Sequence, residues 1–179
     1  MLYVLVIEIL ALQIRSNPNI VGFKIGGEKI VSAHYMDDAT IIIKQNRCFK
    51  EVIKELSEYE EASGAKVNYN KTKGLWTGSW KHRRVSPMKI TWTNKNVEKL
   101  GVFFGNDDPD VATFQKIIPK LNKRLAYWKQ FKLSKFGKAR VVEIFLASKL
   151  NYAIKFYVIP KSVQDNLQKS IFEYVREQS

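Results

Sequence analysis

The sequence predicts an α+β protein in which short strands and helices alternate up to about residue 106 and helices alone follow. Two observations support this prediction. Between residues 20 and 105, runs of alternating apolar and β-branched residues are separated by turn residues, which is the pattern of strands. From residue 107 onward, apolar residues recur every three to four positions, which is the period of helices.

The chain begins with a predicted helix and a predicted hairpin. Residues 2–15 have the length and composition of a helix, and the cluster Ser16-Asn17-Pro18-Asn19 ends it. Residues 21–30 alternate apolar and polar side chains on either side of Gly26-Gly27. This alternation around a glycine pair predicts a short hairpin.

Residues 30–44 predict a second hairpin, which carries the sequence Tyr35-Met36-Asp37-Asp38. Adjacent carboxylates resist burial within a strand, so we expect Asp37 and Asp38 at the tip of the hairpin. Two carboxylates on a rigid turn are oxygen ligands of the kind that Mg²⁺ binds while it keeps waters for a phosphate substrate. The same pair is also common in plain turns, and these four residues alone do not separate the two interpretations.

A helix and three strands follow. Residues 49–59 place apolar side chains at helical spacing, and Gly64 stands where helices commonly end. Strands are predicted at 67–76, 88–92 and 97–104, with the basic loop Lys81-His82-Arg83-Arg84 between the first two. Neither His82 nor His34 has a partner at metal-ligand spacing, so both are predicted to be surface or packing residues.

The last part of the chain predicts three helices. The first has an apolar face over residues 114–128, and Pro119 either opens its main body or kinks it. Residues 139–149 and 163–175 predict two more helices, separated around Pro160.

The chain is strongly basic. Thirty Lys and Arg against 17 Asp and Glu give a net charge of +13 and a pI near 9.7. Residues 1–114 hold 16 basic and 13 acidic side chains, whereas residues 115–179 hold 14 basic and 4 acidic ones. This balance favours a polyanionic partner such as nucleic acid, although solvated helix faces explain the charge alone equally well.

Cysteine content and apolar runs predict the compartment. The single cysteine, Cys48, allows neither an internal disulfide nor a cysteine-based zinc cluster, which favours a reducing environment such as the cytoplasm or nucleus. The apolar run 1–12 lacks a basic leader, is interrupted by Glu8 and is too short to span a bilayer. We therefore expect an intracellular protein with no membrane partner; the sequence does not indicate its oligomeric state.

The order of several segments resembles reverse transcriptases of non-LTR, LINE-like retrotransposons. Tyr35-Met36-Asp37-Asp38 looks like the aromatic-x-Asp-Asp box of that family, and residues 2–8 look like the palm helix before it. Agreement in order over nearly the whole chain is harder to obtain by chance than a single motif. The other segments that carry the resemblance are 63–68, Asn70-Lys71-Thr72-Lys73, Lys99-Leu100-Gly101-Val102 (the primer-grip strand), and, on the thumb side, Trp128, Lys132-Leu133-Ser134 and Gly137-Lys138-Ala139-Arg140.

The resemblance implies an RNA-directed DNA polymerase, with a partial palm at 1–106 and a helical thumb-like region at 107–179. Its partners would be an RNA template, a DNA primer and deoxynucleoside triphosphates. Nucleotide addition would proceed by two-metal phosphoryl transfer with Mg²⁺ as the cofactor. Asp37 would bind the metal directly and Asp38 more weakly.

Substrate contacts are implied by the same resemblance. Tyr35 and Met36 would lie near the primer end and the incoming nucleotide. Lys71 would face the triphosphate and protonate the leaving pyrophosphate, with Lys66 and Lys73 as alternatives; each lysine fits a solvated strand end equally well. The primer backbone would be held by three residues that also fit a buried edge strand: Leu100, Gly101 and Val102.

Basic and aromatic residues alternate in the thumb-like region, a pattern that suits phosphate contacts and base stacking. Because aromatic residues more often form core, we assign Tyr127, Trp128, Phe131 and Phe136 to packing. The residues assigned to phosphate contacts are Lys120, Lys123, Arg124, Lys129, Lys132, Lys135, Lys138 and Arg140.

The sequence also departs from the family. The other palm carboxylate, which in these enzymes precedes the aromatic-x-Asp-Asp box on its own strand, has no counterpart before residue 21, and the fingers region has none either. We therefore expect a fragment that is inactive alone and exposes apolar surface. Two alternatives stay open: a non-catalytic nucleic-acid-binding remnant of a retroelement, and a basic α+β domain that binds an acidic protein.

Overall fold

Helices and short strand pairs alternate along the chain, which confirms the α+β class. The structure is a computed structural model that describes residues 2–176, with side chains described from residue 4 onward. The mixed part comprises α1 (Leu2–Ser16), β1 (Phe23–Ile25), β2 (Glu28–Ile30), β3 (Ser32–Tyr35), β4 (Asp38–Ile41), α2 (Cys48–Ser63), β5 (Lys73–Leu75), a 3₁₀ turn (Gly78–Trp80), β6 (Thr91–Thr93), β7 (Asn96–Lys99) and β8 (Val102–Gly105). The helical part comprises α3 (Pro109–Lys129), α4 (Lys135–Val141), a π-helical segment (Val142–Ala147), α5 (Ser148–Ala153) and α6 (Lys161–Arg176).

The chain divides into two compact units. The first comprises residues 1–73 and 85–91, and the second comprises residues 74–84 and 92–179. Strands β7 and β8 therefore belong to the same unit as the helices α3 to α6. The resemblance implies a different boundary, at residue 106, between a partial palm and a thumb-like region. That boundary remains a prediction.

The core of the first unit forms where α1 and α2 pack together. Its buried residues are supplied by both helices and by the chain on either side of the first hairpin: Leu10, Ile14, Ile20, Val31, Val52 and Leu56. Gly22 is required there, because a Cβ at this position would lie 2.1 Å from the carbonyl oxygen of Ile30. The other face of α1 leaves four apolar side chains exposed to solvent: Val4, Leu5, Ile9 and Leu12.

The core of the second unit forms around α3. Pro109 opens this helix, where its missing N–H has no helical partner to lose. Pro119 lies inside the helix without ending it. The buried core residues are Phe114, Leu121, Leu125, Val141, Leu146, Ala153, Val163, Leu167 and Tyr174.

The three strands predicted between residues 67 and 104 differ from the structure. The predicted strand 88–92 overlaps β6 (Thr91–Thr93) only at its last two residues. The predicted strand 97–104 is the hairpin β7–β8, because Leu100 and Gly101 both have positive φ, of 51° and 83°, and form a two-residue turn. Most of the predicted strand 67–76 is a turn instead. There the carbonyl of Asn68 accepts hydrogen bonds from the backbone N–H groups of Lys71 and Thr72 at 3.1 and 2.9 Å.

The predicted helix 139–149 is the middle of a longer helical run. Helix α4, the π-helical segment and α5 follow one another without a break from Lys135 to Ala153. No helix within residues 2–176 combines the length and the apolar character that a membrane span requires.

Candidate functional site: an acidic hairpin and a basic helical surface

The acidic hairpin consists of β3, β4 and the turn between them. Tyr35 pairs with Asp38 in the antiparallel register, which leaves Met36 and Asp37 as the two turn residues. The expectation that both aspartates lie at the tip is therefore half right: Asp37 lies in the turn and Asp38 is the first residue of β4. Met36 has a φ of 52°, a left-handed conformation that disfavours a residue with a side chain by about 1–2 kcal/mol.

The hairpin has an anchored base and an open tip. At the base, Val31 is fully buried and its carbonyl accepts a 2.7 Å hydrogen bond from the backbone N–H of Ile42. At the tip, Tyr35 and Met36 are 56% and 68% exposed, and both aspartates are exposed as well. Among the described residues, neither carboxylate has an ion-pair partner. The two carboxylates are therefore open to a ligand from solvent.

The two carboxylates at the tip fit Mg²⁺ only as part of its ligand set. Mg²⁺ is commonly held by one or two carboxylates while water and substrate phosphates supply its other ligands. Asp37 and Asp38 provide such a pair. Within residues 2–176, no group of three or more His, Cys, Asp and Glu side chains comes together as a metal site. A cation at this hairpin would therefore depend on ligands beyond the described side chains.

The three lysines considered for triphosphate contacts all point to solvent. Lys71 lies in the turn that Asn68 organises, Lys66 lies just before that turn, and Lys73 is the first residue of β5. All three are exposed, so exposure does not favour one over the others.

The three residues predicted to hold the primer lie on the β7–β8 hairpin. Leu100 and Gly101 form its exposed turn, and Leu100 is 39% exposed. Val102 is fully buried and anchors the start of β8. Leu100 and Gly101 are accessible to a ligand, whereas Val102 acts through packing.

A basic surface covers part of α3, α4 and the loop between them. Lys120, Lys123 and Arg124 lie at helical spacing on one face of α3. The guanidinium of Arg124 lies 5.2 Å above the ring of Phe145, which fixes its position. All but one of the predicted phosphate-contacting residues are exposed: Lys120, Lys123, Arg124, Lys129, Lys132, Lys135 and Arg140.

Lys138 is the exception. Its side chain is only 6% exposed, and its ammonium lies 5.9 Å from the centre of the Tyr174 ring. The assignment of Lys138 to surface phosphate contacts does not agree with this burial. Lys138 lies on the same side of α4 as the buried Val141, three residues later.

The aromatic residues of this region divide into packed and exposed ones. Trp128 is partly buried and stacks on Phe145 with ring centres 5.3 Å apart, as the assignment to packing predicts. Tyr127 and Phe131 contact each other but remain 57% and 42% exposed. Phe136 is 83% exposed, so the assignment to packing does not describe it.

The basic loop at residues 81–84 has a structural support that its sequence pattern did not predict. In the structure, Arg83 lies against the rings of Trp76 and Trp80. The recurrence of tryptophans at positions 76, 80 and 92, close to the segment Lys81-His82-Arg83-Arg84, was the signal in the sequence.

Comparison with known proteins gives one informative match. No protein-family model matches the chain. Over 132 residues, the chain is 32% identical to the Transposon TX1 uncharacterized 149 kDa protein of Xenopus laevis. The chain is similar to a transposon protein. The match covers 70% of this chain but spans only 10% of the transposon protein, which is itself uncharacterized.

Proposed function

We propose that the chain is the part of a transposon-encoded RNA-directed DNA polymerase that carries an acidic hairpin and a primer–template-binding surface. The observation that carries the proposal is the β3–β4 hairpin, whose exposed tip presents the carboxylates of Asp37 and Asp38 without an ion-pair partner among the described residues. The order of the other motifs along the sequence supports the same reading, and the transposon origin of the similar Xenopus protein agrees with it.

In this proposal, Asp37 and Asp38 would hold Mg²⁺. Bound Mg²⁺ would activate the primer 3′ hydroxyl and stabilise the charge on the transferring phosphate. Asp37, in the turn, binds directly, and Asp38 contributes from the first position of β4. As the primer 3′ oxygen bonds to the α-phosphorus and the bond to pyrophosphate breaks, the hydroxyl proton would pass to solvent water and Lys71 would donate a proton to the leaving pyrophosphate. Tyr35 and Met36 contact the primer terminus and the incoming nucleotide from the exposed tip.

The basic surface of α3 and α4 holds the primer–template duplex by its phosphates. Such contacts release counterions from the nucleic acid, so binding weakens steeply as salt increases. In an acidic-protein partner, the charges would not follow the regular spacing of a phosphate backbone. Whether added nucleic acid competes for the basic surface therefore distinguishes a nucleic-acid partner from an acidic-protein partner.

A second candidate is a nucleic-acid-binding protein without polymerase activity. It is favoured by the observation that no third ligand joins the two aspartates within the described residues. The two candidates share the fold and the basic surface, and they differ only in whether nucleotides are added.

The test combines binding and primer extension on the 179-residue chain. Binding to an RNA–DNA hybrid is measured at several salt concentrations, and extension is measured with Mg²⁺ and deoxynucleoside triphosphates. A variant with Lys120→Gln, Lys123→Gln and Arg124→Gln is compared with a control variant that has the same charge, Lys149→Gln, Lys155→Gln and Lys161→Gln. We expect the first variant to reduce the slope of log affinity against log salt by about 2–3, and the control by less than half as much.

Each outcome separates the candidates. Extension that is lost in Asp37→Asn supports the polymerase, and binding without extension supports the second candidate. Absence of binding by the wild-type chain would overturn both. Equal losses in the α3 variant and its control would mean that net charge alone binds nucleic acid, without a defined surface.

A further inference from the structure

The loop at residues 77–84 is folded into a fixed shape by its own backbone. The N–H of Trp80 donates to the carbonyl of Thr77 at 3.1 Å, and the N–H of Lys81 donates to the carbonyl of Gly78 at 3.2 Å. The N–H of Arg83 then donates to the carbonyl of Trp80 at 2.9 Å. These consecutive short-range bonds order the backbone of the loop from Thr77 to Arg83.

Tryptophan rings support the loop from one side. Trp76 and Trp92 stack with ring centres 4.3 Å apart, and Trp80 meets Trp76 edge-on at 5.7 Å. The guanidinium of Arg83 lies 4.0 Å above the Trp80 ring and 5.7 Å from that of Trp76. A cation above an indole ring is attracted by the ring's negative face. We call residues 77–84, with this support, the tryptophan-backed loop.

The supporting rings are themselves anchored in the second unit. The backbone N–H of Trp76 donates to the carbonyl of Thr93 at 2.9 Å. The carbonyl of Trp76 accepts a 2.7 Å hydrogen bond from the side-chain amide of Asn106. Trp76 is therefore fixed at both backbone groups and is only 4% exposed.

The loop presents its charge to solvent. Lys81, His82 and Arg84 are all exposed, while Arg83 is partly covered by the rings. The loop lies within residues 62–97, a stretch that holds eight Lys and Arg and no Asp or Glu. Like charges this close repel one another. The hydrogen-bonded loop carries Lys81, Arg83 and Arg84 within four positions and has no acidic neighbour in sequence, which suits an anionic ligand supplied from outside.

We propose that the tryptophan-backed loop is a second phosphate-binding element, in which Lys81 and Arg84 contact the backbone of a nucleic-acid strand. Arg83 positions the loop by lying against Trp80. A loop already ordered before binding loses less conformational entropy when it binds, and this raises affinity. The proposal rests on the proposed function in that nucleic acid is the ligand, and it adds a contact outside the basic surface of α3 and α4.

The test is a pair of matched variants of the full chain. Lys81→Gln with Arg84→Gln removes the two proposed contacts. Lys95→Gln with Lys155→Gln removes the same charge from exposed positions elsewhere in the second unit. For single-stranded RNA and single-stranded DNA, we expect the loop variant to lower the salt slope by about 1.4 and the affinity at 0.1 M salt by about twenty-fold. The control is expected to lower affinity less than three-fold.

A third variant, Trp80→Leu, tests the positioning of the loop. It keeps Lys81 and Arg84 but removes the ring beneath Arg83, so affinity is expected to fall several-fold with no change in salt slope. Circular dichroism on each variant verifies that it is folded. Unchanged affinity in Trp80→Leu would overturn the supporting function of the rings.

The failure of this proposal is distinguishable from the failure of the proposed function. If the wild-type chain binds no nucleic acid, both fail. If the α3 variant weakens binding while the loop variant behaves like its control, only the loop proposal is overturned. A loss confined to RNA or to DNA would identify which strand the loop contacts and would support the proposal.

Discussion

The hydroxyl of Tyr157 donates a 2.7 Å hydrogen bond to the backbone carbonyl of Phe103, which lies 54 positions earlier in the chain. This bond joins the β7–β8 hairpin to the segment between α5 and α6. By contrast, the hydroxyl of Tyr174 is buried without a hydrogen-bond partner among the described residues. The two tyrosines therefore form a matched pair for measuring what one long-range hydrogen bond contributes.

Tyr157→Phe is expected to lower the free energy of unfolding by about 1 kcal/mol, because the Phe103 carbonyl loses its partner. Tyr174→Phe removes an unpaired polar atom and is expected to leave stability unchanged or to raise it slightly. Urea unfolding followed by tryptophan fluorescence measures both. A larger loss in Tyr174→Phe than in Tyr157→Phe would contradict the geometry.

The same tyrosines predict a loss of stability at alkaline pH. Burial raises the pKa of Tyr157, with a smaller contribution from the charge of Asp110, and burial alone raises the pKa of Tyr174. Because the pKa of each folded tyrosine lies above the ordinary tyrosine value of 10.0, their neutral forms stabilise the fold fully below pH 10 and progressively less as pH rises above it. Unfolding curves of the double Phe variant should depend less on pH in that range than those of the wild type.

Met36→Gly is expected to stabilise the first unit by about 0.5–1 kcal/mol, because glycine tolerates the positive φ of this turn position. Met36→Ala serves as the control, since it removes the same side chain without relieving the backbone. Thermal unfolding of both variants measures the difference. If alanine stabilises as much as glycine, the exposed methionine side chain rather than its φ is the source of strain.

Gly22→Ala is expected to destabilise the first unit by about 3 kcal/mol, because its Cβ would meet the Ile30 carbonyl oxygen at 2.1 Å. Gly137→Ala is the contrasting substitution. Its Cβ would lie 3.4 Å from the nearest atom, and alanine favours the helix by about 1 kcal/mol. The free energy of unfolding, measured by chemical denaturation, should therefore fall for Gly22→Ala and rise for Gly137→Ala. A tolerated Gly22→Ala would mean that the chain before β1 runs elsewhere.

Lys135→Gln is expected to reduce the salt slope of nucleic-acid binding by just under 1, because this lysine is exposed on the basic surface. Lys138→Met, three residues later, is expected to leave the slope unchanged, because its side chain is buried. Filter binding at several salt concentrations measures both. A reduced slope in Lys138→Met would show that this lysine reaches the ligand after all.

Local patterns predicted much of the fold. The helix now seen as α2 follows from apolar residues at helical spacing and from Gly64, whose φ of 71° ends it. The acidic hairpin follows from β-branched residues on both sides of two aspartates. In each case the deciding residues are neighbours in sequence, so no knowledge of the tertiary structure was needed.

The features that the sequence did not predict depend on distant parts of the chain. Leucine rarely adopts positive φ, so nothing about Leu100 as a residue type predicted a turn. Lys138 belongs to a run of basic residues that looks uniform, and only the packing of α4 on α6, through Tyr174, separates it from its neighbours. Burial of this kind is decided by tertiary packing rather than by the residue itself.

The π-helical segment at Val142–Ala147 has a consequence for how this part of the chain tolerates change. A π turn accommodates one residue more than an α turn, and each residue rotates an α-helix by about 100°. The segment therefore sets α4 and α5 out of phase with each other by roughly that angle. A deletion of one residue within it would therefore let the segment close into ordinary α turns, and the later side chains of α5 would keep their side of the helix.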